Sequence, residues 1–272
     1  MLRLTTHDEV TRIDSARTLL GRGRYWTTAY LIDGLLIDSG CAHTADELLH
    51  ALHGETIGRI VNTHTHEDHI GGNRKLQRER EIPILAHPKA MTVLANPREE
   101  QPLQFYRRLF WGWPGPSQGE PLQDGQIVFT PKFNFRVIYT PGHSPDHLCL
   151  YEPDRQWLFS GDLFVGGRDR ALGAGYDIWG ILRSLKLVAG LPTSTLFPGC
   201  ARVRENPKQV LTAKIDYLEQ LGQRILDLHA AGRNVSSIAQ EVCGGPMWIE
   251  RLTMGHFSRE NLVRSYLAPA LG

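Results

Sequence analysis

The sequence predicts an α/β fold in which strand-rich blocks alternate with amphipathic helices. Two patterns carry that expectation. Apolar runs of strand length, such as residues 25–32, 133–140 and 156–160, are bounded by Gly, Pro and Asp. Between them, residues 44–52 and 178–189 repeat apolar residues at helical spacing. A third observation points to function: histidines and aspartates gather just past the ends of the strand-like runs. At 272 residues the chain can bury a large core without disulfide or metal staples.

In chain order, residues 10–20 suit an early strand. Runs 25–32 and 35–38 flank Asp33-Gly34, a dipeptide that favours the tight hairpin turn. Ala45, Leu48, Leu49 and Leu52 share one helical face, and Gly54 stops that helix. Residues 58–63 read as a strand, 73–80 as a polar helix and 82–86 as a strand ending at His87-Pro88. Residues 91–126 break the pattern. Their aromatics, Phe105, Tyr106, Phe110, Trp111 and Trp113, form either a satellite core or the wall of a ligand pocket. Further strands are expected at 126–130, 133–140, 148–152, 156–160 and 195–197. After Pro207, Leu211, Ile215, Leu218, Leu221, Ile225 and Leu228 mark one face of a long helix that Gly232 ends. Helices at 235–242 and 257–267 follow, so the chain divides into residues 1–205 and a helical extension, 206–272.

The densest chemistry is Ile60-Val61-Asn62-Thr63-His64-Thr65-His66-Glu67-Asp68-His69-Ile70-Gly71-Gly72. Imidazoles and carboxylates are the usual ligands of zinc and similar divalent metals. His64 and His66 could not share a helix face at that spacing. The segment therefore reads as a loop leaving a strand and wrapped around a metal.

Thirty basic and 29 acidic residues leave a net charge of +1. That balance argues against a strong grip on nucleic acid or an acidic membrane. Cys41, Cys149, Cys200 and Cys243 form no CxxC pair, which suits reduced thiols. Residues 1–14 lack the apolar core of a signal peptide, and no uncharged run reaches the ~20 residues that span a bilayer. A cytoplasmic protein with a small-molecule substrate and no membrane partner is expected.

HTHEDH at 64–69, PGH at 141–143, SGD at 160–162 and Pro-Gly-Cys at 198–200 occur in that order. Over roughly residues 10–205 this resembles the metallo-β-lactamase-fold hydrolase superfamily, in particular its glyoxalase II and lactamase-like endoribonuclease branches. The resemblance implies a four-layer αββα sandwich, with residues 1–205 as catalytic domain and a metal site at the sheet edges. The extension would be a winged-helix-like appendage serving packing or homodimer formation.

Carried over by motif, one metal falls on His64, His66 and His143. A second falls on Asp68 and His69, with Asp162 bridging both. Zn2+, one or two per chain, is the expected cofactor, with Fe or Mn as alternatives. Hydroxide derived from metal-bound water would attack a thioester, ester or lactone, and the catalytic Asp68 would orient it and transfer a proton. Trp111, Trp113 and Tyr176 are candidates for the substrate wall, as are Arg168, Asp169 and Arg170 for substrate contacts. The family usually has histidine after the last Pro-Gly. Here Cys200 is either a thiolate ligand or a small hydrophobe beside a weak second site.

Several other residues receive bland readings. His147 supports the loop or the metal shell, His87 is structural, Glu67 is solvated or adjoins the metal shell, and His256 is expected to lie away from the site. Competing functions are a phosphodiesterase or endoribonuclease, a mononuclear iron persulfide dioxygenase and a scaffold without turnover. β-Lactam hydrolysis is disfavoured, because Asp162 stands where many such enzymes carry cysteine.

Overall fold

The computed structural model describes residues 1–19, 21–101 and 104–269. Leu20 in the first expected strand, Pro102 and Leu103 in the aromatic segment, and the last three residues of the extension lie outside the described residues.

A first sheet holds seven strands in sequential order: β1 (Leu2–His7), β2 (Val10–Leu19), β3 (Arg22–Ile32), β4 (Leu35–Ile37), β5 (Arg59–Val61), β6 (Ile84–Ala86) and β7 (Gly119–Pro121). β1 to β4 pair antiparallel, and β4 to β7 pair parallel. The second sheet starts with β8 (Ile127–Phe129), β9 (Asn134–Tyr139), β10 (Leu148–Glu152) and β11 (Trp157–Gly161). The two-residue strand β12 (Leu172–Gly173) belongs to neither sheet. β13 (Thr195–Pro198) and β14 (Arg204–Glu205) complete the second sheet, whose order is β14-β13-β11-β10-β9-β8.

Strand alternation sends successive residues to opposite faces. Tyr30, Ile32, Leu35, Ile37 and Val61 of the first sheet meet Val137, Leu148, Leu150, Phe159 and Phe197 of the second. Within that inner core Phe159 stacks on Phe197 at 4.7 Å, and Tyr30 stands edge-on to both at 5.4 and 5.5 Å. The outward residues Leu31, Leu36, Ile60 and Ile84 pack against Leu48 of α1 (Ala45–Ala51), Leu76 of α2 (Asn73–Arg80) and Leu94 of α3 (Met91–Ala95). Two short helices, α4 (Pro97–Glu100) and α5 (Phe105–Phe110), follow in the aromatic segment.

Ile138, Cys149, Leu158 and Leu196 cover the outer face of the second sheet. They pack against α6 (Ile178–Ala189) and α7 (Lys208–Ala230), which carry Leu185, Leu218 and Ile225. The result is the expected αββα sandwich. The remaining tail elements are α8 (Val235–Cys243), α9 (Trp248–Leu252), β15 (Phe257–Ser258) and α10 (Arg259–Leu267). Ile238 of α8 and Leu262 and Tyr266 of α10 belong to the same buried cluster as α6 and α7. The tail is also stitched on by strand pairing, Leu172 opposite Ser258 and Gly173 opposite Phe257.

The hairpin at Asp33-Gly34 has positive φ at both residues, 46° and 80°. β1 was not legible because its residues after Leu2 are exposed and Leu-Arg-Leu-Thr-Thr-His offers no inward apolar face. The stretch expected as one helix over 257–267 begins instead as a strand, and Ser258 then caps α10 by accepting from Asn261 N–H. Truncating Phe159 removes a ring stacked between the sheets. Phe159→Ala is expected to cost about 3–5 kcal/mol in urea denaturation; an unchanged midpoint would show that the inner core does not depend on this stack.

Candidate metal centre

Each motif residue is delivered by a strand end. β5 runs into the histidine loop, β9 into Pro-Gly-His, β11 into Asp162 and β13 into Pro198-Gly199. Two glycines are dictated by this convergence. At Gly142 (φ +135°) a Cβ would stand 2.2 Å from Ile181 N of α6. At Gly199 it would stand 2.5 Å from Asp162 Oδ1 and 2.8 Å from His69 Cε1.

His64 Nε2 and His143 Nε2 each lie 3.0 Å from His66 Nδ1. His64 Nδ1 faces Thr63 Oγ1 at 3.0 Å, so its proton is engaged there and its Nε2 lone pair turns to the cluster. His69 donates from Nδ1 to Asp38 Oδ2 at 2.8 Å and turns Nε2 toward the cluster. Asp162 stands between the two halves, with Oδ2 3.7 Å from His143 Nε2 and Oδ1 3.6 Å from His69 Nε2. His69 Nε2 and Asp162 Oδ1 are buried without a hydrogen-bond partner. Buried polar atoms are normally satisfied, so these two are placed as a cation would require.

Among the described residues, two groups of donors can hold a metal: His64, His66 and His143, and His64, His69 and Asp162. Within each group the donor atoms lie within 4.8 Å of one another. Burial, reinforced by the neighbouring imidazoles, pushes the pKa of His64 and His66 well below the ordinary histidine value. Burial likewise takes His143 to about 4. They are therefore neutral ligands at pH 7, as coordination demands. Burial also opposes charge on His69, but Asp68, Asp162 and Asp38 outweigh it and hold its pKa well above the usual value.

Not every expected residue joins these groups. Asp68 places Oδ2 3.6 Å from His69 Nε2, and burial raises its pKa to about 7. It belongs to neither donor group, and nor does the solvent-exposed Cys200. His147 donates from Nδ1 to Thr140 Oγ1 (2.8 Å) and accepts the Asp162 N–H at Nε2 (3.2 Å), which leaves it no ligating atom. His87 stacks on Tyr139 at 4.3 Å.

A cavity of about 220 Å³ opens on the cluster, with His66, His143, Tyr176, Arg107, Lys89 and His256 in its wall. Tyr176 stacks on His66 at 5.7 Å and leans on His143 at 4.7 Å. The tryptophans stand elsewhere. Trp111 donates to Tyr25 O and packs with Tyr25 and Phe110, while Trp113 lies under the Arg98 guanidinium at 5.2 Å. Phe110 and Trp111 thus form a satellite core on Tyr25, whereas Trp113 lines a separate cavity of about 490 Å³ with His43 and Arg108.

Two further expectations need correction. Of the two readings of Glu67 the solvated one fails, because the residue is buried and Arg107 reaches it from α5 with a 2.6 Å ion pair. His256 reaches the cavity wall, because the β12–β15 pairing carries the tail to it. Asp38 and Arg107 were missed altogether. Asp38 ends the apolar run of β4, the same place past a strand that the ligand-type residues occupy; no sequence signal distinguishes Arg107 from Arg108.

The metallo-beta-lactamase superfamily matches residues 23–200. An atrochrysone carboxyl ACP thioesterase from Aspergillus fumigatus is 27% identical over 74% of this chain and 58% of its own length. A beta-lactamase-like protein 2 homolog from Drosophila melanogaster is 29% identical over 84% of this chain and 75% of its own. A hydroxyacylglutathione hydrolase from a Marinomonas species is 31% identical over 57% and 52%. The chain thus spans about half to three-quarters of the length of these relatives. A metallo-beta-lactamase family protein from Thermus thermophilus superposes with a TM-score of 0.65 at 19% identity, over 89% of this chain and 87% of that one. A four-layer sandwich with histidines and an aspartate converging at its sheet edges is the arrangement of a candidate metal-binding protein of this fold. The chain belongs to the metallo-beta-lactamase superfamily.

The histidine burial predicts a pH dependence for metal-free protein. Unfolded histidine titrates near 6.5, whereas folded His143 titrates near 4 and His147 near 3, with His64 and His66 also depressed. Below about 6.5 the unfolded chain binds more protons, so the stability these residues confer is present above that pH and lost as pH falls. His69, with its raised pKa, acts oppositely: its contribution is present below about 6.5 and lost as pH rises through its folded value. Asp68, raised to about 7, opposes them too, because at pH 5 the folded chain holds its proton and the unfolded chain does not. The four depressed imidazoles should outweigh these two groups, and urea midpoints should fall from pH 7 to pH 5. A flat or rising midpoint would contradict the burial of neutral imidazoles.

Proposed function

We propose that the chain hydrolyses thioester or closely related ester bonds of small acyl substrates, using one or two zinc ions. The observation that carries this reading is the cavity of about 220 Å³ opening onto His66 and His143. Its size suits a small acyl group, and the near-balanced charge of the chain offers little to a polyanion. Relatives named as an ACP thioesterase and a hydroxyacylglutathione hydrolase support the thioester class.

His64, His66 and His143 hold the first ion, and His69 and Asp162 contribute to the second. When bound, the cations polarise the substrate carbonyl and lower the pKa of water. The protein's own groups do the rest. Asp162 places a carboxylate oxygen toward each half and offsets positive charge. Asp68, with a pKa of about 7, accepts the proton released when water adds, a value suited to transfer at neutral pH. Tyr176 walls the cavity beside His66 and His143 and limits access of bulk water. Residues 206–269 act as a packing extension whose His256 walls this cavity.

Protein purified without added metal should contain zinc, and a chelator should abolish hydrolysis of a thioester panel. One iron per chain with oxygen uptake, or activity untouched by chelation, would overturn the reading. Asp38→Ala removes the partner that orients His69 directly and His64 through Thr63, and should weaken the more labile metal about 10–100-fold in competition titrations, with a smaller loss at the tighter one. Equal affinities for both metals in variant and parent would show that His69 needs no such support.

A further inference from the structure

The group beside the metal centre formed by Glu67, Arg107, Tyr106 and His256 is left unused by the hydrolysis described above. It joins three separate stretches of chain, the histidine loop, α5 and the turn before β15. Arg107 Nη1 donates to Glu67 Oε2 at 2.6 Å, and Arg107 Nε donates to the Tyr106 hydroxyl at 3.2 Å. The hydroxyl oxygen is therefore an acceptor on its arginine side. Burial raises the phenol pKa, so it keeps its proton. On its other side the hydroxyl lies 2.5 Å from His256 Nδ1, the partner toward which that proton can be directed.

A neutral imidazole that accepts at Nδ1 carries its hydrogen on Nε2. The ring is neutral, because burial and the adjacent Arg107 charge lower its pKa to about 4. Its backbone is pinned as well, the His256 carbonyl accepting from Ala174 N–H and Asn261 Nδ2, each at 2.8 Å. The ring lines the cavity together with His66, His143 and Tyr176. The Ala174 carbonyl beside the ring is the acceptor with which a substrate oxygen would compete.

We propose that His256 is a substrate-binding residue, fixed by the Tyr106 hydroxyl as the Nε2–H tautomer, which donates to an uncharged oxygen on the acyl chain of the substrate. Arg107 is already neutralised by Glu67, so beside His256 the wall offers a neutral donor, and its other cation, Lys89, donates to the Tyr139 hydroxyl. A carbonyl or hydroxyl oxygen matches that neutral donor better than a carboxylate. The site then selects oxygenated acyl chains over plain hydrocarbon ones. The substrate half rests on the thioester reading above; the tautomer does not.

Two measurements on the metal-loaded full-length protein separate these halves. In ¹⁵N-histidine NMR at pH 7, His256 should show a protonated Nε2 and a bare Nδ1, and Tyr106→Phe should abolish that preference. An imidazolium, an Nδ1–H tautomer, or a ring indifferent to Tyr106→Phe overturns the proposal. In kinetics, the ratio of kcat/KM for a 3-oxobutanoyl over a butanoyl thioester is compared between parent and variants. His256→Ala should lower that ratio roughly tenfold, the scale of one neutral hydrogen bond, with metal content unchanged.

His256→Gln, which can donate near the Nε2 position, should restore part of the ratio. His256→Asn, which can only replace the Nδ1 contact to Tyr106, should not. Rescue by Asn instead, or an equal loss on both thioesters, would make the role structural and overturn the proposal. If the parent hydrolyses neither ester, the thioester reading falls and takes the selectivity with it, while the NMR result still decides the donor.

Discussion

The carboxylate of Asp38 is the fixed point from which the donor cluster is built. It accepts from Thr63 N–H and Oγ1–H at 2.7 and 2.8 Å and from His69 Nδ1–H at 2.8 Å. Three bonds to one buried anion tie the end of β4 to the end of β5 and to the far side of the histidine loop. They also set two tautomers. His69 must present Nε2 to the cluster, and Thr63, its own proton engaged, is left to accept from His64 Nδ1. Asp38 adopts φ of 60° to do this, a strained conformation for a residue other than glycine. Such strain persists where the surroundings over-determine it, as three charge-assisted hydrogen bonds do here.

A second constraint comes from outside the sandwich. The sheet edges alone would leave His66 and His143 facing open water. α5 and the turn before β15 close over them from opposite ends of the sequence, joined through Arg107, Tyr106 and His256. The Glu67–Arg107 pair is expensive to bury and therefore a poor source of net stability. Its geometric effect is clearer, since it fastens α5 to the residue between two metal-binding candidates. The tail is likewise fixed by its apolar contacts to α6 and α7. The cavity thus depends on packing far from the motifs.

This explains what could be seen in the sequence. The sandwich was legible because β3, β4, β10 and β13 are short apolar runs whose alternate residues face two different cores, and because Asp33-Gly34 specifies its turn locally. The donor residues were legible because each lies in a compact motif just past a strand. What escaped depends on contacts between distant residues. Nothing near Arg107 in the sequence announces Glu67, forty positions earlier, and nothing near His256 announces a strand pairing with residues 172–173. Trp111 and Trp113 looked like a substrate wall by composition; Tyr25, eighty-six residues before Trp111, drew the first into a satellite core. β1 escaped for a different reason, since an exposed edge strand needs no apolar pattern.

The same close packing makes folding and metal binding parts of one process. Gly142 and Gly199 let backbone approach where no side chain fits, and the space so gained is occupied by imidazoles and a carboxylate rather than by apolar groups. Without a cation, His69 Nε2 and Asp162 Oδ1 face each other at 3.6 Å, beyond hydrogen-bond distance, and recover only part of the cost of burial. The imidazoles of His64, His66 and His143 crowd their lone pairs at 3.0 Å. A metal binds the folded arrangement and has little purchase on the unfolded chain, so its binding free energy adds to folding stability. The sandwich supplies enough apolar burial to bring these groups together beforehand. The centre can therefore be preformed, and its geometry is set by Asp38, the two glycines and the overlying tail before any metal arrives.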